Sequence, residues 1–280
     1  MVIPYARQSI SKQDLNAVAE VLQSDYLTQG PVVPAFEEAV AELVGAKFAV
    51  AGNSATSMLH IACLALGVTT GDLVWTSPIS FVASANCALY CGAEIDFVDI
   101  DSESFNMSPI ALAAKLELAK KSNRLPKVII PVHMGGQSCD MQAIGSLAQQ
   151  YGIKVIEDAS HAIGGTYNSQ RIGNCAHSDI TIFSFHPVKI ITTGEGGMAV
   201  TQDEGLAHSM RMLRSHGITR DATEFEFGND GPWYYEQQEL GFNYRLTDIA
   251  AALVAPAAAC LINVAGRVAT VVGIVVVAAH

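Results

Sequence analysis

The sequence predicts an α/β fold in which a mostly parallel sheet is flanked by helices. Two patterns predict it. Short apolar runs recur at Phe48-Ala-Val-Ala51, Leu73-Val-Trp75, Ile95-Asp-Phe-Val98, Val128-Ile-Ile130 and Lys154-Val-Ile156, and helix-length spacers separate them. Short buried strands joined through helices pair in parallel by right-handed crossovers, with both sheet faces covered. The chain of 280 residues is half hydrophobic and only 15% charged, enough for one large domain with a substantial core.

Taken in order, Ser11 to Leu22 reads as an amphipathic helix, with Ser11 as its cap and Asp14 three residues on. The strand at Phe48–Ala51 runs into Gly52-Asn-Ser-Ala-Thr56, which opens a helix continuing to Leu66. Thr181–Phe185 and Gly197–Val200 read as two further strands. The stretch from Thr219 to Glu239 is polar and aromatic and reads as a long loop, with enough aromatics to pack. A helix starting at Arg245 loses its amphipathic pattern after Leu253. The expected organisation is one large domain over residues 1–250 and an apolar tail over 251–280.

A formal net charge of -11, with no cluster of Lys and Arg, argues against a nucleic-acid surface. It leaves anionic ligands open, because backbone amides and hydroxyls can hold a phosphate. The six cysteines (Cys63, Cys87, Cys91, Cys139, Cys175, Cys260) are scattered without a CxxC pair and read as buried reduced thiols of a cytoplasmic protein, with no metal site expected. The N-terminus carries no apolar secretion segment. After Ala250 the only charged residue is Arg267, and Pro256, Asn263 and Arg267 interrupt an otherwise apolar run. A tail produced by a reading-frame change is the first expectation, and a membrane anchor the second.

The chemistry concentrates in Ser184-Phe-His-Pro-Val-Lys189 and the following Gly194-Glu-Gly-Gly197. A lysine between a strand and a glycine-rich turn, in apolar surroundings, loses basicity and can serve as an amine nucleophile toward carbonyls. The competing reading is a surface lysine after a strand. Asp158, at the end of a strand, can keep a pyridine nitrogen protonated or can be a turn residue; His161 can meet a cofactor oxygen or be packed. Asn53-Ser-Ala-Thr56 opens a helix directly after a strand, which suits either a phosphate cradle or an ordinary cap. Phe81 can stack on a ring or belong to the core.

In combination, these segments resemble fold-type I pyridoxal-phosphate enzymes, and from about Ile3 to Ala252 the chain resembles the DegT/DnrJ/EryC/StrS sugar aminotransferases. The matching segments include Leu27–Pro31, Asn53–Thr56, Ser77–Ala85, Glu157–Ala162, Phe183–Lys189, Gly194–Gly197 and Gly241-Phe-Asn-Tyr-Arg245. Arg214–Gly217 and Pro232-Trp-Tyr-Tyr235 are similar to the pseudaminic acid branch, which aminates a UDP-linked 4-keto-6-deoxy-N-acetylhexosamine from glutamate. The resemblance implies Lys189 as the Schiff-base lysine and Asp158 as the partner of the pyridinium nitrogen, with His161 near the 3-oxygen. It implies Ala55, Thr56 and Ser184 on the phosphate of pyridoxal 5'-phosphate, and Phe81 against the ring. It further implies that Asn243 reaches a neighbouring subunit's phosphate in a homodimer, and that Tyr5 and Asp25, Tyr26, Leu27 and Thr28 contact substrate. Dehydratases on this fold carry histidine in place of the lysine, and here the residue is Lys189.

Family members continue through a small C-terminal domain, so the resemblance implies that this chain lacks it. Two alternatives follow: a truncated, non-catalytic product that still binds the cofactor, or a transaminase for another nucleotide keto-sugar of the 4-amino-arabinose type.

Overall fold

The computed structural model describes residues 7–254. Tyr5 and nearly all of the apolar tail lie outside the described residues. Helix α1 (Lys12–Leu22) begins with the expected capping box: Asp14 N donates to Ser11 Oγ at 3.2 Å, and Ser11 N donates to the Asp14 carboxylate at 2.7 Å. Helix α2 (Val32–Val44) follows, then strand β1 (Phe48–Gly52) and helix α3 (Ala55–Ala65). The chain continues through β2 (Leu73–Thr76), α4 (Ala83–Tyr90), β3 (Glu94–Phe97), α5 (Pro109–Lys121), β4 (Val128–Ile130), α6 (Met141–Tyr151) and β5 (Lys154–Asp158). A short ribbon of β6 (Thr166–Tyr167) and β7 (Gln170–Arg171) precedes β8 (Ile180–Ser184), β9 (Gly197–Thr201) and α7 (Glu204–Arg214). A second ribbon, β10 (Ile218–Thr219) with β11 (Glu236–Gln237), and the short α8 (Asp248–Ala252) complete the described chain.

Seven strands form one sheet in the order β1-β9-β8-β5-β4-β2-β3. Only β9 runs against its neighbours β1 and β8; every other pairing is parallel. The mostly parallel sheet expected from the sequence is therefore present. The reversal of β9 is the exception, and it follows from the β8–β9 connection, which returns directly through the lysine loop instead of crossing over on a helix. Alternation along each strand divides the core. Val50, Val74, Ile130, Ile156, Ile182 and Ala199 face α3, α4 and α7, whereas Ala51, Phe183 and Val200 face α2 and α8. Trp75, Ile129 and Val155 pack under α5 and α6.

Two expectations change. The run Ile95–Val98 is not a buried strand: β3 is the sheet edge, and Phe97 is exposed. The Thr219–Glu239 loop is organised by a carboxylate more than by aromatic packing. Glu236 accepts from Glu226 N at 2.7 Å, Phe227 N at 2.9 Å and the Tyr234 hydroxyl at 2.8 Å, while Phe227 and Trp233 stay exposed.

Long-range caps fix the start of the chain. Helix α2 has no side-chain cap of its own at Pro31; instead Asp248, fully buried, accepts from Gly30 N and Val32 N, both at 2.8 Å. A carboxylate at a helix N-terminus satisfies otherwise unpaired amides and the local dipole.

Candidate active site

The parallel strands end along one edge of the sheet, where α/β folds gather ligands. Strand parity decides which side chains enter the cleft there. Asp158 shares the parity of Ile156, and Ser184 that of Ile182, so both turn toward α3 and α4. Glu157 turns the other way. It is buried and accepts from Ser178, Thr181 and His133 Nε2, the last at 2.8 Å. Burial alone would raise its pKa, but these donors outweigh it and hold the carboxyl below its ordinary value. His133 Nδ1 accepts from Cys139 N at 3.1 Å, so the ring keeps its proton on Nε2 for Glu157.

The cleft has a volume of about 340 Å³ and is lined by Ala55, Thr56, Phe81, Asp158, His161, Ser184 and Lys189, among others. Seven of the residues singled out in the sequence therefore converge on one cavity. A wider depression of about 530 Å³ between α6 and the Ala176–Asp179 turn is open to solvent and gathers no such set.

Each wall has a local cause. Ser54 caps α3 by accepting from Ser57 N at 3.1 Å, which leaves the amides of Ala55 and Thr56 without a partner among the described residues. Those two N–H groups, at the positive end of a helix dipole, form an anion cradle. Gly197 makes the cradle possible, since a Cβ there would lie 2.3 Å from Ala55 N. Phe81 is 67% exposed and lines the cleft, so it is not the core residue it could have been.

Asp158 is nearly buried, with both oxygens engaged. Ser84 Oγ donates to Oδ2 at 2.6 Å, and Ser160 donates to Oδ1 through Oγ at 2.6 Å and N at 3.1 Å. Sequence reasoning missed both serines. Ser160 stands in an Asp-x-Ser turn pattern that could have signalled it; Ser84 is 74 residues away and carried no signal. His161 Nδ1 accepts from Gly135 N at 3.3 Å, so a neutral ring carries its proton on Nε2. Burial lowers the His161 pKa, the charge of Lys189 lowers it further, and Asp158 opposes both. Burial likewise lowers the Lys189 pKa against the opposing charge of Asp158. The Lys189 amine forms no hydrogen bond or ion pair among the described residues, which leaves its nitrogen unobstructed in the cleft.

The remaining predicted residues lie elsewhere. Asn243 is exposed, beside the cradle but outside the cleft: its carbonyl meets Asn53 Nδ2 at 3.5 Å, and it bridges to Ser215. Asp25, Tyr26, Leu27 and Thr28 are exposed and do not line the cleft. Their segment is pinned near α8, where Asp248 N donates to Leu27 O at 3.1 Å and Thr28 bridges Thr247. Arg214 is a structural clamp; its guanidinium holds Glu37 at 2.5 Å and Ala51 O at 2.7 Å.

A sequence profile of the DegT/DnrJ/EryC1/StrS aminotransferase family matches residues 8–258. The chain belongs to this family. The match extends a few residues beyond Ala252, where the likeness was expected to stop. Members of the family use pyridoxal 5'-phosphate. The UDP-4-amino-4,6-dideoxy-N-acetyl-beta-L-altrosamine transaminase of Campylobacter jejuni (serotype O:23/36) is 42% identical over 252 residues, covering 90% of this chain and 63% of that protein. Helicobacter pylori PseC, described as an aminotransferase involved in the biosynthesis of pseudoaminic acid, superimposes with a TM-score of 0.81 at 33% identity, covering 91% of this chain and 66% of that one. The putative sugar aminotransferase Spr1654 from Streptococcus pneumoniae, in its PLP form, has a TM-score of 0.79 at 27% identity, with coverage of 90% and 65%. The chain spans about 62–63% of the length of the curated relatives it matches.

The cleft fits the family's cofactor. Two free amides and the Ser184 hydroxyl suit a phosphate, a buried carboxylate suits a ring nitrogen, an exposed phenyl face suits the ring, and an unpaired amine suits the carbonyl.

Proposed function

We propose that this chain carries the large part of a pyridoxal-phosphate-dependent aminotransferase that moves an amino group from glutamate to a UDP-linked 4-keto-6-deoxy-N-acetylhexosamine. The observation that carries the reading is the convergence of Lys189, Asp158, His161 and the α3 amides on one cleft. Bound there, the cofactor would supply an electron sink for the carbon whose amino group is exchanged.

The chain's own residues would do the rest. Lys189 attaches the cofactor and then holds and returns the transferred proton at Nζ. Its burial keeps that amine less basic than a surface lysine. Asp158, gripped by Ser84 and Ser160, keeps a negative charge at the ring nitrogen. Ala55, Thr56 and Ser184 bind the phosphate, and His161 offers its Nε2–H to the ring oxygen. The substrate class follows the name of the Campylobacter relative, which favours it over a 4-amino-arabinose type substrate. Asn243 and the Asp25–Thr28 segment, exposed outside the cleft, would meet a second copy and the sugar nucleotide in a homodimer.

Two measurements test this. Purified protein with added pyridoxal 5'-phosphate should show visible absorbance that borohydride fixes covalently to Lys189. Absence of that absorbance, or an unchanged spectrum in Lys189→Ala, would overturn the cofactor assignment. Transfer of nitrogen from labelled glutamate to the UDP-4-keto sugar tests the substrate, and cofactor binding without transfer would favour the non-catalytic alternative.

A further inference from the structure

Asp158 and His161 line the cleft, and one buried residue behind it reaches the supports of both. His133 follows β4, where Asp158 N donates to Pro131 O at 2.9 Å and His133 N donates to Asp158 O at 3.0 Å. The parallel pairing of β4 with β5 therefore continues up to Asp158. The His133 ring is fully buried and lies outside the cleft lining. Both its nitrogens are used: Nε2 donates to Glu157 at 2.8 Å, and Nδ1 accepts from Cys139 N at 3.1 Å. Glu157 is itself fixed, because Ser178 and Thr181 donate to its other oxygen. One bond thus ties the ring to β5, and the other closes the loop from His133 to Cys139. Inside that loop lies the Met134–Gly136 turn, which presents Gly135 N to His161 Nδ1 at 3.3 Å. The approach is close: a Cβ on Gly136 would lie 2.8 Å from His161 O. Buried Asn106 steadies the same turn, accepting from Met134 N and donating to Gln137 O, both at 3.0 Å. Asn106 makes no bond to β5 among the described residues, so registration of the turn against His161 falls to His133.

We propose that the His133–Glu157 pair is a positioning device for the cleft: it fixes the turn so that Gly135 N–H occupies His161 Nδ1 and the His161 proton stays on Nε2. An amide donating to Nδ1 favours the neutral ring, because a protonated ring has no lone pair there to accept it. It also selects the tautomer. A ring released from Gly135 can take a proton on Nδ1 and turn a bare Nε2 toward the cleft. That matters to catalysis only on the aminotransferase reading, where Nε2–H meets the ring oxygen of the cofactor; the effect on His161 itself does not depend on it. His133 and Glu157 touch neither cofactor nor substrate on this view, and act through His161.

The test uses the full chain without cofactor and follows His161 by heteronuclear NMR of labelled histidine. His133→Leu removes both ring bonds. It should raise the proton affinity of His161 by about three- to tenfold, the worth of one ordinary hydrogen bond, and admit the Nδ1–H tautomer. Asp158, His186, Lys189 and Glu195 line the cleft with His161 and are the same in every variant. Glu157→Gln keeps an oxygen for His133 Nε2–H and should retain the wild-type titration. Arg214→Ala, which breaks a clamp elsewhere, should lower Tm and leave His161 unmoved. If His133→Leu does not fold, His133→Asn is read instead, since it keeps an acceptor for Cys139 N and drops only Glu157. With pyridoxal 5'-phosphate added, the variant that moves His161 should bind about three- to tenfold more weakly than wild type. An unmoved His161 in the folded His133 variant, or an equal change in Arg214→Ala, would overturn the proposal. Failure of the wild-type chain to bind pyridoxal 5'-phosphate would instead count against the aminotransferase reading, with the His161 result standing by itself.

Discussion

Replacing Gly197 by alanine tests whether the cradle at α3 depends on the close approach of β9. The added Cβ would lie 2.3 Å from Ala55 N, 2.4 Å from Ser54 C and 2.6 Å from Ala55 Cα. All three are backbone atoms, so no side chain can swing aside. Ordinary contact begins near 3.4 Å, and the two segments must therefore separate by about 1 Å. Strand β9 cannot yield easily, because Gly197 pairs with Gly52 on one side and Ser184 on the other. The start of α3 must lift instead, carrying the free amides of Ala55 and Thr56 with it. Overpacking of this kind costs about 1–3 kcal/mol, which for a chain of this size lowers Tm by roughly 2–10 °C. A charge-assisted hydrogen bond is worth about 1.5–3 kcal/mol, so weakening one should loosen cofactor binding by roughly 10–100-fold. Differential scanning calorimetry and a cofactor titration read the two effects. Gly71→Ala is the control: its φ of +91 imposes strain, but nothing lies within 4 Å, so it should lower Tm and leave affinity unchanged. A Gly197→Ala protein with wild-type Tm and affinity would refute the argument that this glycine makes room for the cradle.

Three further outcomes are expected. Arg214→Ala strands Glu37 and the Ala51 carbonyl in a site where the paired side chains are only 16% and 13% exposed, and should cost about 3–5 kcal/mol in denaturant unfolding. Lys189 has a lowered folded pKa, so its burial penalises the charged form; the penalty is full below that pKa and gone above the unfolded value. Cofactor-free Lys189→Met should therefore be more stable than wild type at neutral pH, with the gain shrinking as pH rises through the lysine range. An advantage that grows with pH would contradict this. His161 should titrate below the usual histidine value by NMR; Lys189→Met should raise its pKa and Asp158→Asn should lower it, because the two charges act on the ring with opposite sign.

What the sequence could and could not reveal divides along a physical line. Periodicity reports which face a side chain takes, and for a strand followed by a turn it also reports which end of the sheet. Asp158, Ser184 and the Asn53–Thr56 turn were legible for that reason: each follows an apolar run, and a parallel sheet places all such ends on one edge. Periodicity says nothing about which distant segment covers a given group. Ser84 on Asp158 and Asp248 on the start of α2 are pairings between elements that meet only after crossover connections stack them. The edge position of β3 was hidden for the same cause, since an apolar run does not state how many neighbours its strand will have. Exposure also cuts the other way. Phe227 and Trp233 read as packing residues, yet Glu236 makes the turn without them and leaves both rings in solvent. The same distinction bears on specificity. The cleft residues are set by strand ends, whereas Asn243 and Asp25–Thr28 lie outside the cleft on segments joined by long-range bridges. A 3-amino-5-hydroxybenzoic acid synthase shares this fold with a TM-score of 0.80, so the shared scaffold cannot by itself select a sugar. On the proposed reading, in which Asp25–Thr28 contact the substrate, exchanging that segment should alter KM for the nucleotide sugar while leaving cofactor affinity intact.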